Sequence, residues 1–147
     1  MIRRHPILAV LSGAWLGVIA LMTLGPQPLD PREEGLLWRV IGYFQMHPAT
    51  QWVTYNHVEF IANILMFVPA GLFFLLLLGR RRWWLVILLG FLATVSIETA
   101  QLFIPGRVTD IRDVISNTSG AIIGVLLGLL LTMGDVRKAP RRRAALS

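Results

Sequence analysis

The sequence predicts an all-α membrane protein, a bundle of four transmembrane helices with a short amphipathic interfacial helix between the first and second. Hydrophobic residues are 55% of the chain and charged residues 15%, and the mean hydropathy of +0.65 lies above that of ordinary soluble domains. Four apolar runs, at about residues 7–24, 59–78, 83–103 and 114–133, are each long enough to cross about 30 Å of hydrocarbon as a helix. An open sheet is excluded, because its edges would leave backbone groups unpaired in lipid. We expect one transmembrane domain over residues 1–136 and a basic tail over residues 137–147.

The basic residues flank the apolar runs, a pattern more typical of membrane topology than of nucleic-acid binding, despite the net charge of +6. With a cytoplasmic N-terminus, ten basic residues fall inside and four outside. The inner ten are Arg3, Arg4, Arg80, Arg81, Arg82, Arg137, Lys138, Arg141, Arg142 and Arg143, and the outer four are Arg32, Arg39, Arg107 and Arg112. We therefore expect a multi-pass protein of the cytoplasmic (plasma or inner) membrane with both termini in the cytoplasm and no nucleic-acid partner.

Two segments before the second span need separate interpretation. The first span resembles a signal peptide in its Arg3 and Arg4, but its apolar run is too long and no small-x-small site precedes Pro26, so we expect a retained helix. Asp30 as N-cap then predicts a short amphipathic helix, which ends before Pro48. This helix is either a lid over the polar residues described next or, as we favour, a connector anchored in the membrane surface.

Polar side chains recur in three spans at what this topology makes the outer end. They are Glu59, Asn63, Glu98, Gln101, Asp110, Asp113 and Asn117, with Arg107 before the fourth span. Within each span their spacing of three, four or seven residues places them on one helix face. Because an ionisable group costs about 2.5–3.5 kcal/mol at the centre of a membrane helix, we expect these stripes to meet.

Each polar residue also has a structural interpretation. Asp110 and Asp113 stand where a helix N-terminus favours acceptors, and the amides of Asn63, Gln101 and Asn117 are suited to bonds between helices. Capping cannot explain Glu98, which must pair with Arg107, stay neutral or face a polar cavity. These residues are the candidate binding site, and Glu98, Arg107 and Asp113 are the candidates for any catalytic role.

Small residues recur every four positions in the fourth span, at Gly120, Gly124 and Gly128. Such spacing lets two helix backbones approach closely in lipid. The partner is the second or third span, or a second copy of the chain in a homo-oligomer. Pro69 predicts a kink in the second span, and Pro105 with Gly106 predicts a tight turn before the fourth.

Three motifs in order resemble the VanZ-like family of small membrane proteins: NILMFVPAG at residues 63–71, SIETAQ at 96–101 and GRVTDIRDVISNTSGAIIG at 106–124. The resemblance covers about residues 56–128, and it implies a bundle of about four transmembrane helices. The founding member is associated with low-level resistance to the glycopeptide antibiotic teicoplanin. The family's recurring residues correspond to Asn63, Pro69, Glu98, Gln101, Arg107, Asp110, Asp113 and Asn117. Ala70 and Ser119 depart from its usual residues in ways that concern packing.

Three functions remain open. The first is a non-enzymatic envelope protein whose polar pocket binds a lipid headgroup, a cell-wall intermediate or a partner membrane protein, with Arg107 on phosphate or carboxylate. The second is an enzyme on a lipid-linked substrate, with Glu98 as general base and Asp110 and Asp113 as weak candidate ligands for Mg²⁺ or Ca²⁺. The third, a transporter, is least favoured because the polar groups stop near one end. There is no cysteine and no Walker or His-Glu-x-x-His motif, and we expect no cofactor.

Overall fold

The computed structural model describes residues 6–25, 36–107 and 109–133, with the side chains of 36–38 excepted. These residues form α-helices and two short 3₁₀ turns but no β-strand. The α-helices are α1 (Pro6–Leu24), α2 (Leu36–Gln45), α3 (Tyr55–Leu78), α4 (Trp83–Gln101) and α5 (Ile111–Leu131). Within the described ranges, four segments are long and apolar enough to cross a membrane: α1, α3, α4 with the short 3₁₀ turn before it, and α5. The all-α architecture with four candidate spans is therefore confirmed. Asp30 and the basic tail lie outside the described residues.

Helices α3 and α5 share the most extensive interface in the bundle. The glycines of α5 lie in this interface: a Cβ at Gly120 would collide with the backbone of Ile64, and one at Gly124 with the backbone of Val68 and Leu72. The glycine stripe therefore packs against the second span of the same chain, which is one of the partners that the spacing left open. Association through a second copy stays a prediction.

Helices α1 and α4 complete the bundle. On α1, Ile19 packs with Phe67 and Ala70 of α3, and the indole N–H of Trp15 donates to the carbonyl of Met66 at 2.9 Å. Helix α3 continues through Pro69 to Leu78, although proline removes the backbone donor that would otherwise bond the carbonyl of Leu65. An apolar cavity of about 340 Å³ lies between α1, α3 and α4.

The short helix α2 packs on α3 and is amphipathic as expected. Ile41 is only 1% exposed, whereas Tyr43 is 64% exposed. Helix α2 ends at Gln45, three residues before Pro48, and a 3₁₀ turn at Pro48–Thr50 leads toward α3. Its position over one flank of α3 makes one wall of a groove described below.

Arginines at the connection between α3 and α4 have a structural role besides the topological one. The guanidinium Nη1 of Arg80 donates to the carbonyl of Leu129 at 3.0 Å and to the hydroxyl of Thr132 at 3.1 Å. A cation there satisfies carbonyls at the C-terminus of α5, where the helix dipole favours positive charge. We call this end of the bundle the basic end.

The close approach of α3 and α5 predicts that Gly124→Ala destabilises the protein. The added Cβ would meet backbone atoms rather than a flexible side chain, so the helices must separate. We expect a loss of about 1–3 kcal/mol in the free energy of unfolding, measured by denaturant titration in bicelles. Gly13→Ala on α1 is the matched control, because nothing lies within 4 Å of its Cβ position. Equal effects of the two substitutions would contradict the packing described.

Candidate functional site

The polar residues lie at the end of the bundle opposite to the basic end, which we call the polar end. Helices α1 and α4 finish there, and α3 and α5 begin there. The turn before α5 contains Gly106 in the left-handed region with φ +81°, as the Pro105–Gly106 pair predicts. Three contacts, described in turn below, join residues of the predicted stripes at this end.

The first contact joins α3 to α5. The side-chain amide of Asn63 donates to Oδ1 of Asp113 at 2.9 Å, and both residues are half-buried. One turn earlier on α3, the hydroxyl of Tyr55 donates to Oε1 of Glu59 at 3.3 Å. Sequence analysis did not include Tyr55, although its spacing of four residues from Glu59 places it on the same face.

The second contact joins α4 to the start of α5. Asp110 is the N-cap residue, and its Oδ1 accepts a bond from the backbone N–H of Arg112 at 2.8 Å. The backbone N–H of Asp110 in turn donates to Oε2 of Glu98 at 3.0 Å. Capping therefore accounts for the side chain of Asp110. Glu98 does not pair with Arg107. One of its oxygens accepts the backbone N–H of the N-cap residue of α5, so a capping contact accounts for that oxygen, contrary to the expectation from the sequence.

The third contact is fully buried. The amide Nδ2 of Asn117 donates to Oγ1 of Thr94 at 2.8 Å, and the two residues are 2% and 0% exposed. Thr94 was not among the polar residues predicted from the sequence to meet at this end. Its signal was available, because Thr94, Glu98 and Gln101 are spaced four and three residues apart and so form one stripe of α4.

Two polar residues turn toward α1 instead of the α3–α5 contact. The amide Nε2 of Gln101 donates to the carbonyl of Thr23 at 2.9 Å. Nη2 of Arg107 donates to the carbonyls of Gly25 at 2.8 Å and Met22 at 3.3 Å. Both side chains thus satisfy carbonyl groups at the end of α1. For Gln101 this is a bond between helices of the kind expected from the sequence, whereas α1 was not among the partners expected for Arg107.

The acidic groups of the polar end influence one another and form few bonds to basic groups. Asp110 and Asp113 interact electrostatically with each other and with both Glu59 and Glu98, and Arg112 acts on Glu59 and Asp113 at longer range. Among the described residues, Glu59, Glu98 and Asp113 form no ion pair, and each accepts a side-chain hydrogen bond through only one of its two oxygens. Within the same residues, no three Asp, Glu or His side chains are grouped closely enough to hold a metal ion.

Further acceptors at the polar end have no protein partner within the described ranges. These are Oε1 of Gln101 and Oδ1 of Asn117, both buried. The buried Nε of Arg107 and the buried hydroxyl of Thr118 also have no partner there. The polar end therefore carries more hydrogen-bond acceptors than its own residues satisfy.

The fold and this site define the class of a multi-pass, helical membrane protein, in which four apolar helices bury polar contacts near one end. The chain matches the model of the VanZ/LLP1 family over residues 10–132, and it belongs to that family. The match extends beyond the motifs at 56–128 and includes most of α1 and all of α2. Searches of curated proteins and of solved structures found no match.

The buried contact between α4 and α5 predicts energetic coupling between Asn117 and Thr94. In a double-mutant cycle with Asn117→Leu and Thr94→Val, we expect a coupling free energy of about 0.6–2 kcal/mol, the range for hydrogen bonds between membrane helices. The measurement is the free energy of unfolding in bicelles. A cycle that pairs Thr94→Val with Asn63→Leu is the control, and its coupling should be near zero. Coupling of the same size in both cycles would contradict the assignment.

Arg107 is predicted to stabilise the docking of α1. We expect Arg107→Ala to lower the free energy of unfolding by about 1.5–3 kcal/mol, because it removes charge-assisted bonds to carbonyls at the end of α1. Arg112→Ala is the matched control on an exposed side chain and should change stability by less than about 0.5 kcal/mol. A greater loss in Arg112→Ala than in Arg107→Ala would show that this role is assigned to the wrong arginine.

Proposed function

We propose that the polar end binds the headgroup of a membrane lipid or of a lipid-linked cell-wall intermediate. The observation that carries the proposal is the surplus of acceptors: Glu59, Glu98 and Asp113 are half-buried, lack basic partners and each retain an oxygen without a donor. Half-buried carboxylates without a partner are costly in or near a bilayer. A ligand rich in hydroxyl or N–H donors would offset that cost.

The charge distribution supports a bacterial cytoplasmic membrane protein with both termini in the cytoplasm. The positive-inside rule then places the basic end in the cytoplasm and the polar end at the outer leaflet. Headgroups of the outer leaflet and externally exposed cell-wall intermediates would have direct access to the polar end. A link to glycopeptide susceptibility belongs to this proposal, because the founding member of the family is associated with low-level teicoplanin resistance.

The distribution of bonds also supports a revised role for Arg107. Its Nη2 is engaged by α1, which favours carboxylates over this guanidinium as the principal ligand contacts. The enzyme alternative, with Glu98 as general base, requires Oε1 of Glu98 to reach a substrate proton. Incubation of the purified protein with a lipid-linked glycan precursor separates the two functions, since only an enzyme yields a new product.

The test of the proposed site uses Glu98→Gln and Asp113→Asn. Each amide keeps the side-chain shape but removes an acceptor and the charge. We expect each variant to fold and to bind lipid-linked glycan precursor or bilayer lipids at least fivefold more weakly, measured by native mass spectrometry from nanodiscs. The control is Asp135→Asn, beyond the last span. If both site variants retain every lipid at the wild-type level, the headgroup site does not exist.

A further inference from the structure

A groove of about 720 Å³ runs along α3 beside the polar end. Val40 and Phe44 of α2 form one wall, Trp52 closes the connection side, and Phe60 and Leu65 of α3 line the base. The lining is apolar except for two side chains, His57 and Arg112. This volume falls within the range of small-molecule sites, about 300–1,000 Å³.

His57 has a structural role at the edge of this groove. Its Nδ1 accepts a bond from the backbone N–H of Thr54 at 3.2 Å, which completes a capping box at the start of α3. Its ring also meets the indole of Trp52 edge to face, with centroids 5.7 Å apart. His57 is therefore engaged within the protein through Nδ1, and Arg112 is the charged side chain of the groove.

Arg112 connects the groove to the acidic half of the polar end. It is exposed, and its guanidinium makes no hydrogen bond or ion pair with any other described residue. It interacts electrostatically with Glu59 and Asp113 at longer range. Glu59 lies on α3 between two groove-lining residues, Val58 and Phe60. Arg112 therefore lines an apolar groove, and the two carboxylates with which it interacts electrostatically do not line that groove themselves.

We propose that this groove and the adjoining carboxylates bind an aminophospholipid, with an acyl chain in the groove, the phosphate on Arg112 and the primary ammonium on Glu59 and Asp113. The inference rests on the proposed function, because it shares Asp113 with the headgroup site. The lipid class follows from three features: the apolar groove, the cation that lines it, and the two carboxylates with which that cation interacts.

The positive and the negative side chains beside the groove together select this class of lipid. A planar guanidinium binds phosphate oxygens through two parallel bonds. A primary ammonium supplies three donors to carboxylate oxygens, whereas a fully methylated ammonium supplies none. A headgroup with phosphate alone would meet the nearby carboxylates without any compensating cation. Phosphatidylethanolamine offers the carboxylates both a positive charge and N–H donors, whereas phosphatidylcholine offers them the charge without a donor and phosphatidylglycerol offers hydroxyl donors without the charge.

The experiment measures retention of lipids by the full-length protein in mixed nanodiscs, using native mass spectrometry. The three probes are phosphatidylethanolamine, phosphatidylcholine and phosphatidylglycerol with identical acyl chains. We expect phosphatidylethanolamine to be retained at least fivefold over both others. Arg112→Gln and Glu59→Gln should each abolish this preference, and Leu65→Trp, which fills the groove from an exposed position, should lower total retention at least threefold.

Two controls match these variants. Arg81→Gln removes an exposed cation at the basic end, and Leu126→Trp enlarges an exposed apolar side chain of α5 that does not line the groove. Both should keep the wild-type preference. Thermal unfolding in the same nanodiscs checks that the Leu65→Trp protein is folded, and Leu65→Gln replaces it if it is not.

The outcomes separate this inference from the proposed function. Equal retention of the three probes, with binding still weakened by Glu98→Gln, overturns the aminophospholipid inference and leaves the headgroup site intact. A preference that survives both Arg112→Gln and Glu59→Gln also overturns it. Retention of all lipids that is insensitive to Glu98→Gln, Asp113→Asn, Arg112→Gln and Glu59→Gln overturns both proposals.

Discussion

The close packing of α3 against α5 is the interaction on which the polar end depends. Backbone contact at Gly120 and Gly124 sets the distance and rotation of the two helices. With that geometry, Asn63 reaches Asp113 two turns closer to the polar end. In lipid the hydrophobic effect does not press helices together, so van der Waals contact between small residues must supply the association. The glycine stripe is therefore a precondition of the polar contacts, which are too weak to hold the helices in register alone.

Polar residues at one end of a membrane bundle serve two different needs. Gln101 and Arg107 donate to carbonyl groups at the end of α1, where no following helical turn supplies backbone N–H donors. Glu98 satisfies a backbone N–H at the start of α5. After these needs are met, carboxylate oxygens remain on Glu59, Glu98 and Asp113. If these positions had only a structural role, we would expect neutral amides there, or acids held in ion pairs. The three carboxylates meet neither expectation.

Most of the fold was predictable because apolar length and small-residue spacing act locally. The runs ending at Leu24 and Leu78 agree with the helix ends in the structure. The start of α3 was predicted one turn late, at Glu59, because Tyr55 to Val58 is polar in part and the capping box at Thr54 and His57 carries its signal outside the apolar run. Spacing also identified the polar stripes, but it could not assign partners. Pairing with Arg107 was one of three alternatives that the sequence left open for Glu98. In the structure, the guanidinium instead donates to carbonyls at the end of α1, more than eighty residues earlier in the chain.

Arg112 illustrates why charge counting alone does not identify a ligand. In the sequence it is one of four basic residues on the side predicted to face outward, and it follows the N-cap Asp110, whose oxygen accepts its backbone N–H. The fold places its side chain against an apolar groove whose opposite wall is α2. A cation beside carboxylates would ordinarily be drawn into an ion pair, yet here it remains exposed. The proposed aminophospholipid headgroup would relieve both charges at once with its acyl chain in the groove, so one ligand would account for features that three separate helices contribute.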